Sequence, residues 1–295
     1  MRILLTGGTG LIGRSLCRAL LAQSHQLTVL SRHPETVTSR CGATVAAMAS
    51  LDEWQPEHAF DAVINLAGEP IADAAWSDKR KQALWDSRVT LTRQLVQKIA
   101  AAHVQPGVLL SGSAIGYYGN RQALALDEAA DGGSGYSAEL CAAWEHAALE
   151  ASALGVRVCL LRTGLVLSDG GGLLAKMRLP FGIGVRFGRG EQWMSWIHID
   201  DHVQIMLRLL DDAQAHGAYN LTAPEPVSQA EFVRILSELS GGRVVFTAPA
   251  GVLRLALGER ASLLLEGQRV LPGRIKASGY AFRYSQVMDA LRALL

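Results

Sequence analysis

The sequence predicts an α/β fold, with a doubly wound parallel sheet and a smaller C-terminal lobe. Within residues 1–165, short apolar runs alternate with longer amphipathic stretches. A glycine cluster stands directly between the first apolar run and the first amphipathic stretch. Beyond residue 165 the alternation gives way to 168–196, a segment rich in glycine and aromatic residues. Because parallel strands need crossover helices, this order predicts one sheet with helices on both faces.

Each element of the first part has its own signal. Apolar runs predict strands at residues 2–6, 27–30, 44–48, 61–66, 108–110 and 156–161. Apolar residues at helical spacing predict helices at 11–23, 78–102 and 136–154. In the second part we expect a helix to about residue 210 capped by Asp200 or Asp201, a strand at 218–221 and a helix at 228–239. Residues 243–295 look like an appended unit, with a strand at 244–246, helical stretches at 250–257 and 259–266, and a last helix from Ser285.

Composition excludes several classes of protein. The chain has 295 residues, of which 49% are hydrophobic and 19% charged, so disorder is not expected. Its net charge is +1, so electrostatic attraction of the whole chain to nucleic acid or membrane is not expected either. The cysteines at 17, 41, 141 and 159 are scattered, which predicts buried thiols in a reducing compartment and no metal site. We found no signal peptide and no apolar run of the roughly 18 residues that a membrane helix needs. A cytoplasmic location is therefore expected.

The first thirteen residues, MRILLTGGTGLIG, carry a phosphate-binding pattern. Gly7 allows a tight turn out of the strand, Gly10 lets the backbone approach a pyrophosphate, and Gly13 lets the helix pack closely on the sheet. Backbone N–H groups and a helix N-terminus then face the phosphate. The fold is accordingly Rossmann-type, and the predicted dinucleotide-binding residues of this loop are Gly7, Thr9, Gly10, Leu11, Ile12 and Gly13.

The second predicted strand ends in Ser31 and Arg32, with no carboxylate before Glu35. In a Rossmann unit this position meets the adenosine ribose, where an acidic residue binds the 2′-hydroxyl of NAD and an arginine accommodates the 2′-phosphate of NADP. A hydroxyl and a guanidinium suit a dianionic phosphate. The sequence therefore favours NADP(H) over NAD(H), with a solvated surface arginine as the alternative.

A second cofactor contact is predicted after the fourth strand. Leu66, Ala67 and Gly68 form a turn of small and apolar residues over which a cofactor can pass. Arg88 lies on the predicted helix 78–102, beside its apolar stripe. Two interpretations of Arg88 stay open: it reaches the cofactor phosphates, or it only covers the edge of the sheet.

Several motifs together resemble one known family. TGGTGLIG, NLAG, SGSA and WIHIDD are similar to extended short-chain dehydrogenases/reductases. More narrowly, SRHPE, NLAGEPI, SAIGYYG, CAAWE, LLRTGLVL and the tail EGQRVLPGRIKASGYAFRY resemble the "epimerase family" proteins, which are related to nucleotide-sugar epimerases and carry a C-terminal domain of unknown function. The resemblance spans essentially the whole chain. It implies an NADP(H)-binding domain at 1–165, with 197–221 contributing, and a substrate lobe at 166–295 that includes the unit 243–295.

The catalytic pattern of such enzymes is incomplete here. They use a tyrosine as acid/base, a lysine four residues later that lowers the phenol pKa, and a serine or threonine after the fifth strand. Tyr136 is followed four residues later by Leu140, and none of the five lysines stands four residues after a tyrosine. Ser113 and Tyr136 remain the catalytic candidates, although Ser113 can also be a plain turn serine. Without a lysine the pKa of Tyr136 should stay near about 10.

Two hypotheses about function follow. The first is an NADP(H)-dependent oxidoreductase or epimerase-like enzyme acting on a small carbonyl or sugar-type molecule, with its pocket between the sheet edge and segment 168–196. The second is an NADP(H)-binding sensor or interaction protein with little or no turnover, favoured by the missing lysine. Apolar stripes on helices 78–102 and 136–154 can face a core or a second copy, so a homodimer stays open.

Overall fold

The computed structural model describes residues 1–242 and 244–295. The strands are β1 (Arg2–Thr6), β2 (Gln26–Leu30), β3 (Ala46–Met48), β4 (Ala62–Asn65), β5 (Val108–Ala114), β6 (Gln122–Leu126), β7 (Arg157–Thr163), β8 (Leu165–Leu167), β9 (Gly184–Phe187), β10 (Trp193–Met194), β11 (Trp196–His198), β12 (Gly217–Leu221), β13 (Val227–Ser228), β14 (Val245–Ala248) and β15 (Gln268–Val270). The α-helices are α1 (Leu11–Ala22), α2 (Val37–Cys41), α3 (Asp78–Trp85), α4 (Leu91–Ala101), α5 (Tyr136–Leu149), α6 (Gly172–Met177), α7 (Ile199–Asp211), α8 (Gln229–Leu239), α9 (Ala250–Leu257), α10 (Ser262–Leu265), α11 (Gly273–Ala277) and α12 (Val287–Leu294).

Seven strands form the central sheet in the order β12-β7-β5-β4-β1-β2-β3, all parallel. The chain starts in the middle of the sheet at β1, runs outward to β3, and returns to the other side of β1 at β4. This reversal opens a crevice above the carboxyl ends of β1 and β4, where ligands bind in open α/β sheets. The predicted Rossmann-type α/β fold is confirmed.

Both faces of the sheet are buried, which explains why β1 is a continuous apolar run. Ile3 and Leu5 belong to the core cluster on one face, together with residues of α1 and α7. Leu4 belongs to the cluster on the other face, together with residues of α4. Because successive side chains of a strand point to opposite faces, a strand covered on both sides has to be apolar throughout.

The predicted helix 78–102 is a continuous helical segment with a π-helical turn inside it. α3 passes through Asp86–Thr90 into α4. Thr92 donates a hydrogen bond from Oγ1 to the carbonyl oxygen of Arg88 at 2.6 Å, within this irregular turn. Single π-helical turns are frequent at functional sites. Here the turn carries Arg88, one of the predicted cofactor-binding residues.

Two local expectations were wrong. We expected 111–114 to follow the fifth strand, but β5 extends to Ala114 because these residues continue its pairing with β7, Ser113 lying opposite Arg162. We also expected Asp200 or Asp201 to cap the helix at its N-terminus. The cap is His198, whose Nδ1 accepts a hydrogen bond from the Asp200 N–H at 3.1 Å.

Two-stranded ladders and several helices lie outside the main sheet, and we call this part of the structure the lobe. The ladders pair β8 with β11, β9 with β14, β10 with β13, and β6 with β15. α8 and α12 pack together in the apolar cluster of the lobe. The β6–β15 pairing was not predicted, because β6 lies between the predicted strand at 108–110 and the predicted helix at 136–154, in a stretch rich in turn residues. No helix of the described ranges is long and apolar enough to span a membrane.

Candidate functional site

A cleft of about 1430 Å³ lies above the carboxyl ends of the central strands. On the sheet side it is lined by the glycine loop, by Leu66 and Gly68, and by the end of β5. On the lobe side it is lined by parts of α6, β9, β10 and the stretch 258–268. The cleft thus lies between the sheet edge and segment 168–196, as the sequence predicted. That residues 258–268 also line the cleft was not predicted, because a periodic pattern predicts a helix or strand and does not show what the element packs against.

The glycine loop lines one end of the cleft, called the glycine recess below, and its backbone packs too closely for side chains at two of its glycines. Gly7 has a φ of +70°, and a Cβ there would lie 2.6 Å from the carbonyl carbon of Leu66. A Cβ on Gly13 would lie 2.3 Å from the Gly7 carbonyl oxygen. Gly10 is the N-cap of α1 and therefore presents no capping side chain to the first helical turn. The recess and the helix N-terminus fit the phosphates of a dinucleotide.

A buried hydrogen-bond network fixes the turn at 66–68. Thr6 Oγ1 accepts from the Ala67 N–H at 3.0 Å and donates to Asn65 Oδ1 at 2.7 Å. Asn65 Nδ2 donates to Thr92 Oγ1 at 2.8 Å, and Trp144 Nε1 donates to the same oxygen at 3.0 Å. Because these polar groups satisfy one another inside the core, the turn keeps its position above β4.

Arg88 lies directly against this turn. Its Nη2 donates to the Glu69 carbonyl oxygen at 2.9 Å, and a Cβ on Gly68 would lie 2.9 Å from its Cζ. The guanidinium also lies 5.4 Å from the ring centre of Trp144. Burial lowers the pKa of Arg88. The side chain therefore supports the turn and lines the cleft at once, and its contact with cofactor phosphates stays a prediction.

Arg32 takes part in a chain of charges at the end of β2. Its exposed side chain pairs with Glu69 Oε1 at 2.6 Å, and Glu69 Oε2 pairs with Arg80 at 3.2 Å. The hydrogen bond from Arg32, joined by that from Arg80, holds the pKa of Glu69 below its ordinary value. Ser31 Oγ accepts from the His33 N–H at 3.1 Å. The sequence missed Glu69, which lies 37 residues after Arg32 in the chain.

The predicted site residues divide into two groups. Those that line the cleft are Gly7, Gly10, Leu11, Ile12, Gly13, Leu66, Gly68, Arg88, Ser113 and Tyr136. Those outside its lining are Thr9, Ser31, Arg32 and Ala67. The second group lies on the glycine loop, at the end of β2 and in the turn after β4. Their roles in cofactor binding stay predictions.

Ser113 is buried and already hydrogen-bonded. Its Oγ donates to Glu145 Oε1 at 2.6 Å, and Glu145 receives two further bonds from Arg162, at 2.8 and 2.9 Å. Arg162 also donates to the Tyr118 hydroxyl at 2.9 Å, and that hydroxyl donates to Asn220. Since the single hydroxyl proton of Ser113 points to a carboxylate, its oxygen is left to accept a hydrogen bond from a ligand.

Tyr136 begins α5 and also has its proton engaged. Its hydroxyl donates to the Lys81 carbonyl oxygen at 2.9 Å. Burial raises its pKa, although Arg88 and Lys81 act in the opposite direction. The ammonium of Lys81 lies 5.2 Å from the centre of the phenol ring. A lysine from α3 thus approaches Tyr136, although Leu140 stands four residues after Tyr136, where the usual lysine would be. The approach of Lys81 could not be predicted from the sequence, because Lys81 lies 55 residues before Tyr136.

The described ranges contain no cluster of three or more His, Cys, Asp or Glu side chains arranged to hold a metal ion. All four cysteines are free and buried. Cys141 lines the cleft, and burial raises the pKa of its thiol to about 12. A thiol with such a pKa stays protonated at neutral pH and is a poor nucleophile.

The fold and the cleft together define a protein of the NAD(P)-binding Rossmann type. Comparison of sequences agrees: the chain belongs to the NAD dependent epimerase/dehydratase family, whose model matches residues 3–222. Residues 248–294 match a domain of unknown function, DUF1731. The family resemblance predicted from the motifs is confirmed.

Relatives align over essentially the whole chain. An epimerase family protein SDR39U1 homolog, chloroplastic, of Arabidopsis thaliana is 39% identical over 100% of this chain and 87% of the relative. An epimerase family protein of Mycobacterium tuberculosis is 38% identical over 98% of this chain and 96% of its own length.

Solved structures show the same architecture. The human epimerase family protein SDR39U1, crystallised with NADPH, has a TM-score of 0.89 and 32% identity over 100% of this chain and 99% of its own. A UDP-glucuronic acid 4-epimerase of Bacillus cereus has a TM-score of 0.78 at 16% identity, with 99% and 97% of the two chains covered, and shares the fold alone.

Proposed function

We propose that this protein is an NADP(H)-dependent oxidoreductase or epimerase-like enzyme that acts on a small carbonyl or sugar-type substrate. The observation that carries the proposal is a single cleft that runs from the glycine recess to the lobe. Its volume of about 1430 Å³ exceeds the roughly 300–1,000 Å³ of common ligand pockets, so a second molecule can lie beside the cofactor. NADP(H), when bound, supplies or accepts the hydride.

The choice of NADP(H) rests on the charges at the end of β2. Arg32 is exposed there, and the nearest carboxylate in the fold, Glu69, is already paired with two arginines. A guanidinium can bind a phosphate dianion through two charge-assisted bonds. The human relative crystallised with NADPH supports the same choice.

Within the proposed reaction, the residues of this chain have distinct roles. The glycine recess and Arg88 hold the phosphates. Ser113, whose proton is bound to Glu145, orients a ligand group that donates a hydrogen bond. Tyr136 provides a hydroxyl at the cleft wall, which can exchange its bond to the Lys81 carbonyl for one to substrate.

The cofactor proposal is tested by Arg32→Ala. NADPH affinity should fall about tenfold or more, because charge-assisted hydrogen bonds contribute about 1.5–3 kcal/mol. NADH affinity should stay unchanged. Without Arg32, the Glu69 carboxylate repels the 2′-phosphate of NADPH but tolerates the 2′-hydroxyl of NADH. Fluorescence titration of both nucleotides measures this, with the exposed Arg93→Ala as the matched control. Equal NADPH and NADH affinities in the parent protein would remove the proposal.

A second candidate function has its own observation. The Tyr136 proton is bound to a backbone carbonyl and Leu140 replaces the activating lysine, which favours an NADP(H)-binding sensor with little or no turnover. NADPH oxidation against a panel of aldehydes, ketones and quinones separates the two. Turnover that disappears in Tyr136→Phe supports the enzyme, whereas tight binding with no oxidation supports the sensor.

We also propose the cytoplasm as the compartment, which four reduced, buried thiols support. A homodimer stays a proposal, to be tested by the molecular mass in solution. A small molecule is the proposed partner, and the chain's net charge of +1 gives no support to a nucleic-acid or membrane partner.

A further inference from the structure

We propose that the lobe half of the cleft binds a neutral, apolar carbonyl compound with a flat or aromatic body, and not a nucleotide sugar. This inference rests on the proposed NADP(H)-dependent function, because the carbonyl is the group that would exchange a hydride. It concerns the part of the cleft beyond the glycine recess, which is lined by the lobe and by the connection after β4.

The charges around the cleft do not suit a second anionic ligand. Among the described residues that line it, three are basic and three acidic: Lys81, Arg88, Arg254, Glu139, Glu259 and Glu266. Lys81 is neutralised by Glu259 at 2.6 Å, and Arg88 is bonded to the turn beside the glycine recess. Arg254 remains, on the exposed helix α9. A buried diphosphate needs several charge-assisted bonds, which this arrangement does not provide.

Two amide side chains of the lobe wall, those of Gln192 and Gln229, are hydrogen-bonded to the protein itself. Gln192 Nε2 donates to the carbonyl oxygens of Phe187 and Leu264, at 3.2 and 2.6 Å. Gln229 Nε2 donates to the Val185 carbonyl at 2.9 Å, while its Oε1 accepts from the Phe187 N–H at 3.1 Å. These bonds hold the wall together; they use both N–H groups of Gln192, and they leave Gln229 one N–H to donate to a sugar oxygen.

The lobe wall presents a fixed aromatic ring. Trp193 lies on β10, which pairs with β13, and its backbone is so close to Gly267 that a Cβ there would lie 2.3 Å from the Trp193 carbonyl oxygen. The guanidinium of Arg269 lies 4.8 Å from the ring centre. Because the backbone is fixed on both sides and the Arg269 guanidinium covers one face of the ring, the other face of Trp193 is left to pack a flat molecule at small entropic cost.

The sheet side provides a second aromatic wall. Trp76 and Tyr136 pack edge to face with ring centres 5.1 Å apart. Trp76 Nε1 donates to the Ile71 carbonyl at 2.9 Å, and the Tyr136 hydroxyl donates to the Lys81 carbonyl. With their polar atoms satisfied, the rings present apolar surface to the cleft. Apolar side chains between the walls include Leu165, Leu173, Met177 and Met194.

The inference is tested by direct binding of N-phenyl-1-naphthylamine, a neutral apolar fluorophore, to the protein saturated with NADP⁺. We expect one equivalent to bind, and UDP-glucose not to displace it. Trp193→Ala and Trp76→Ala should each weaken probe binding about tenfold, since each variant removes both buried apolar area and an aromatic contact with the probe. The affinity for NADPH should change less than twofold in both.

Phe181→Ala is the matched control. Phe181 is 91% exposed and lies outside the cleft, so this variant should bind the probe like the parent protein. Displacement by UDP-glucose would overturn the inference, and so would a loss of binding in Phe181→Ala with none in either tryptophan variant. Trp76→Ala keeps the test decisive if Trp193→Ala does not fold.

The same samples separate this inference from the proposed function. NADPH titration reports on the function alone, whereas oxidation of NADPH by 1,4-naphthoquinone requires both the function and the apolar site. If the protein binds NADPH but UDP-glucose displaces the probe, the proposed function is supported and the apolar substrate class is contradicted. If the probe binds at the two tryptophans but NADPH does not bind, the proposed function is contradicted and the apolar site is supported.

Discussion

His202 shows how a single buried side chain depends on the fold around it. It lies in the first half of α7, fully buried, with Nε2 3.1 Å from the Thr163 hydroxyl at the end of β7. Its Nδ1 has no hydrogen-bond partner among the described residues. Burial lowers the pKa of His202 to about 3, and burial also lowers the pKa of His198. Both imidazoles are therefore neutral near pH 7.

We expect the protein to lose stability as the pH falls below about 6.5, the ordinary pKa of histidine in the unfolded chain. Between that pH and 3 the unfolded state binds a proton that the buried His202 cannot bind. Each such histidine lowers the free energy of unfolding by up to ~1.4 kcal/mol per pH unit. The stability is complete above this window and is lost progressively within it.

Urea unfolding at a series of pH values measures this slope. His202→Gln should flatten it, whereas the exposed His103→Gln should not. Equal slopes in the parent protein and in His202→Gln would contradict the expectation.

At the scale of elements, the β1–loop–α1 unit depends on close backbone approach. Gly13 packs against the carbonyl of Gly7 and the Cα of Gly8, at distances that leave no room for a Cβ. The helix can therefore begin immediately after the strand, with its N-terminus at the cleft. This geometry could be predicted from the sequence, because the glycine spacing itself encodes it.

Gly13→Ala should both destabilise the protein and weaken cofactor binding. A Cβ forced into a packed site typically costs about 1–3 kcal/mol. We expect NADPH affinity to fall at least tenfold, because the displaced loop no longer places its N–H groups around the phosphates. Calorimetry and NADPH titration measure the two effects.

Gly107→Ala is the control, since its Cβ would lie 3.7 Å from the nearest atom, the Asp61 carbonyl oxygen. It should change neither quantity appreciably. A stable Gly13→Ala variant with parental NADPH affinity would show that the loop does not bind the phosphates.

At the scale of the whole molecule, polar contacts join the lobe to the sheet side across the cleft. Lys81 on α3 pairs with Glu259, and the hydrogen bond that Lys81 donates to this carboxylate raises the pKa of Lys81. Arg260 Nη1 donates to the Ala72 carbonyl at 3.1 Å. Lys81 and Glu259 both line the cleft, and we expect this bridge to slow the release of a bound ligand.

Glu259→Gln should speed the release of NADPH several-fold by removing this bridge. In the parent protein the dissociation rate constant should rise with salt, because ions screen exposed pairs over a distance of about 10 Å at 0.1 M. In Glu259→Gln that salt dependence should disappear. Stopped-flow displacement of NADPH measures both.

Glu191→Gln, which removes an exposed pair with Arg189 elsewhere in the lobe, should release NADPH at the parental rate. Identical rates and identical salt dependence in Glu259→Gln and the parent protein would exclude a role of the bridge in release.

The sequence by itself determined the central fold and the place of the glycine loop at one end of the cleft. Strand and helix periodicity, the glycine spacing and the turn at 66–68 are local patterns, and local patterns are readable because neighbouring residues in the chain produce them. The position of the cleft could be predicted in the same way. Strands and helices alternate through residues 1–165, and the segment 168–196, where the alternation has ended, was expected to face the sheet edge.

Only the tertiary structure decided which distant side chains meet. Glu69 pairs with Arg32, Lys81 approaches Tyr136, and Glu145 binds both Ser113 and Arg162. The stretch 258–268 closes the cleft although it lies far along the chain from the glycine loop. These contacts depend on how separate elements pack, and packing leaves no periodic signal in the residues that it brings together.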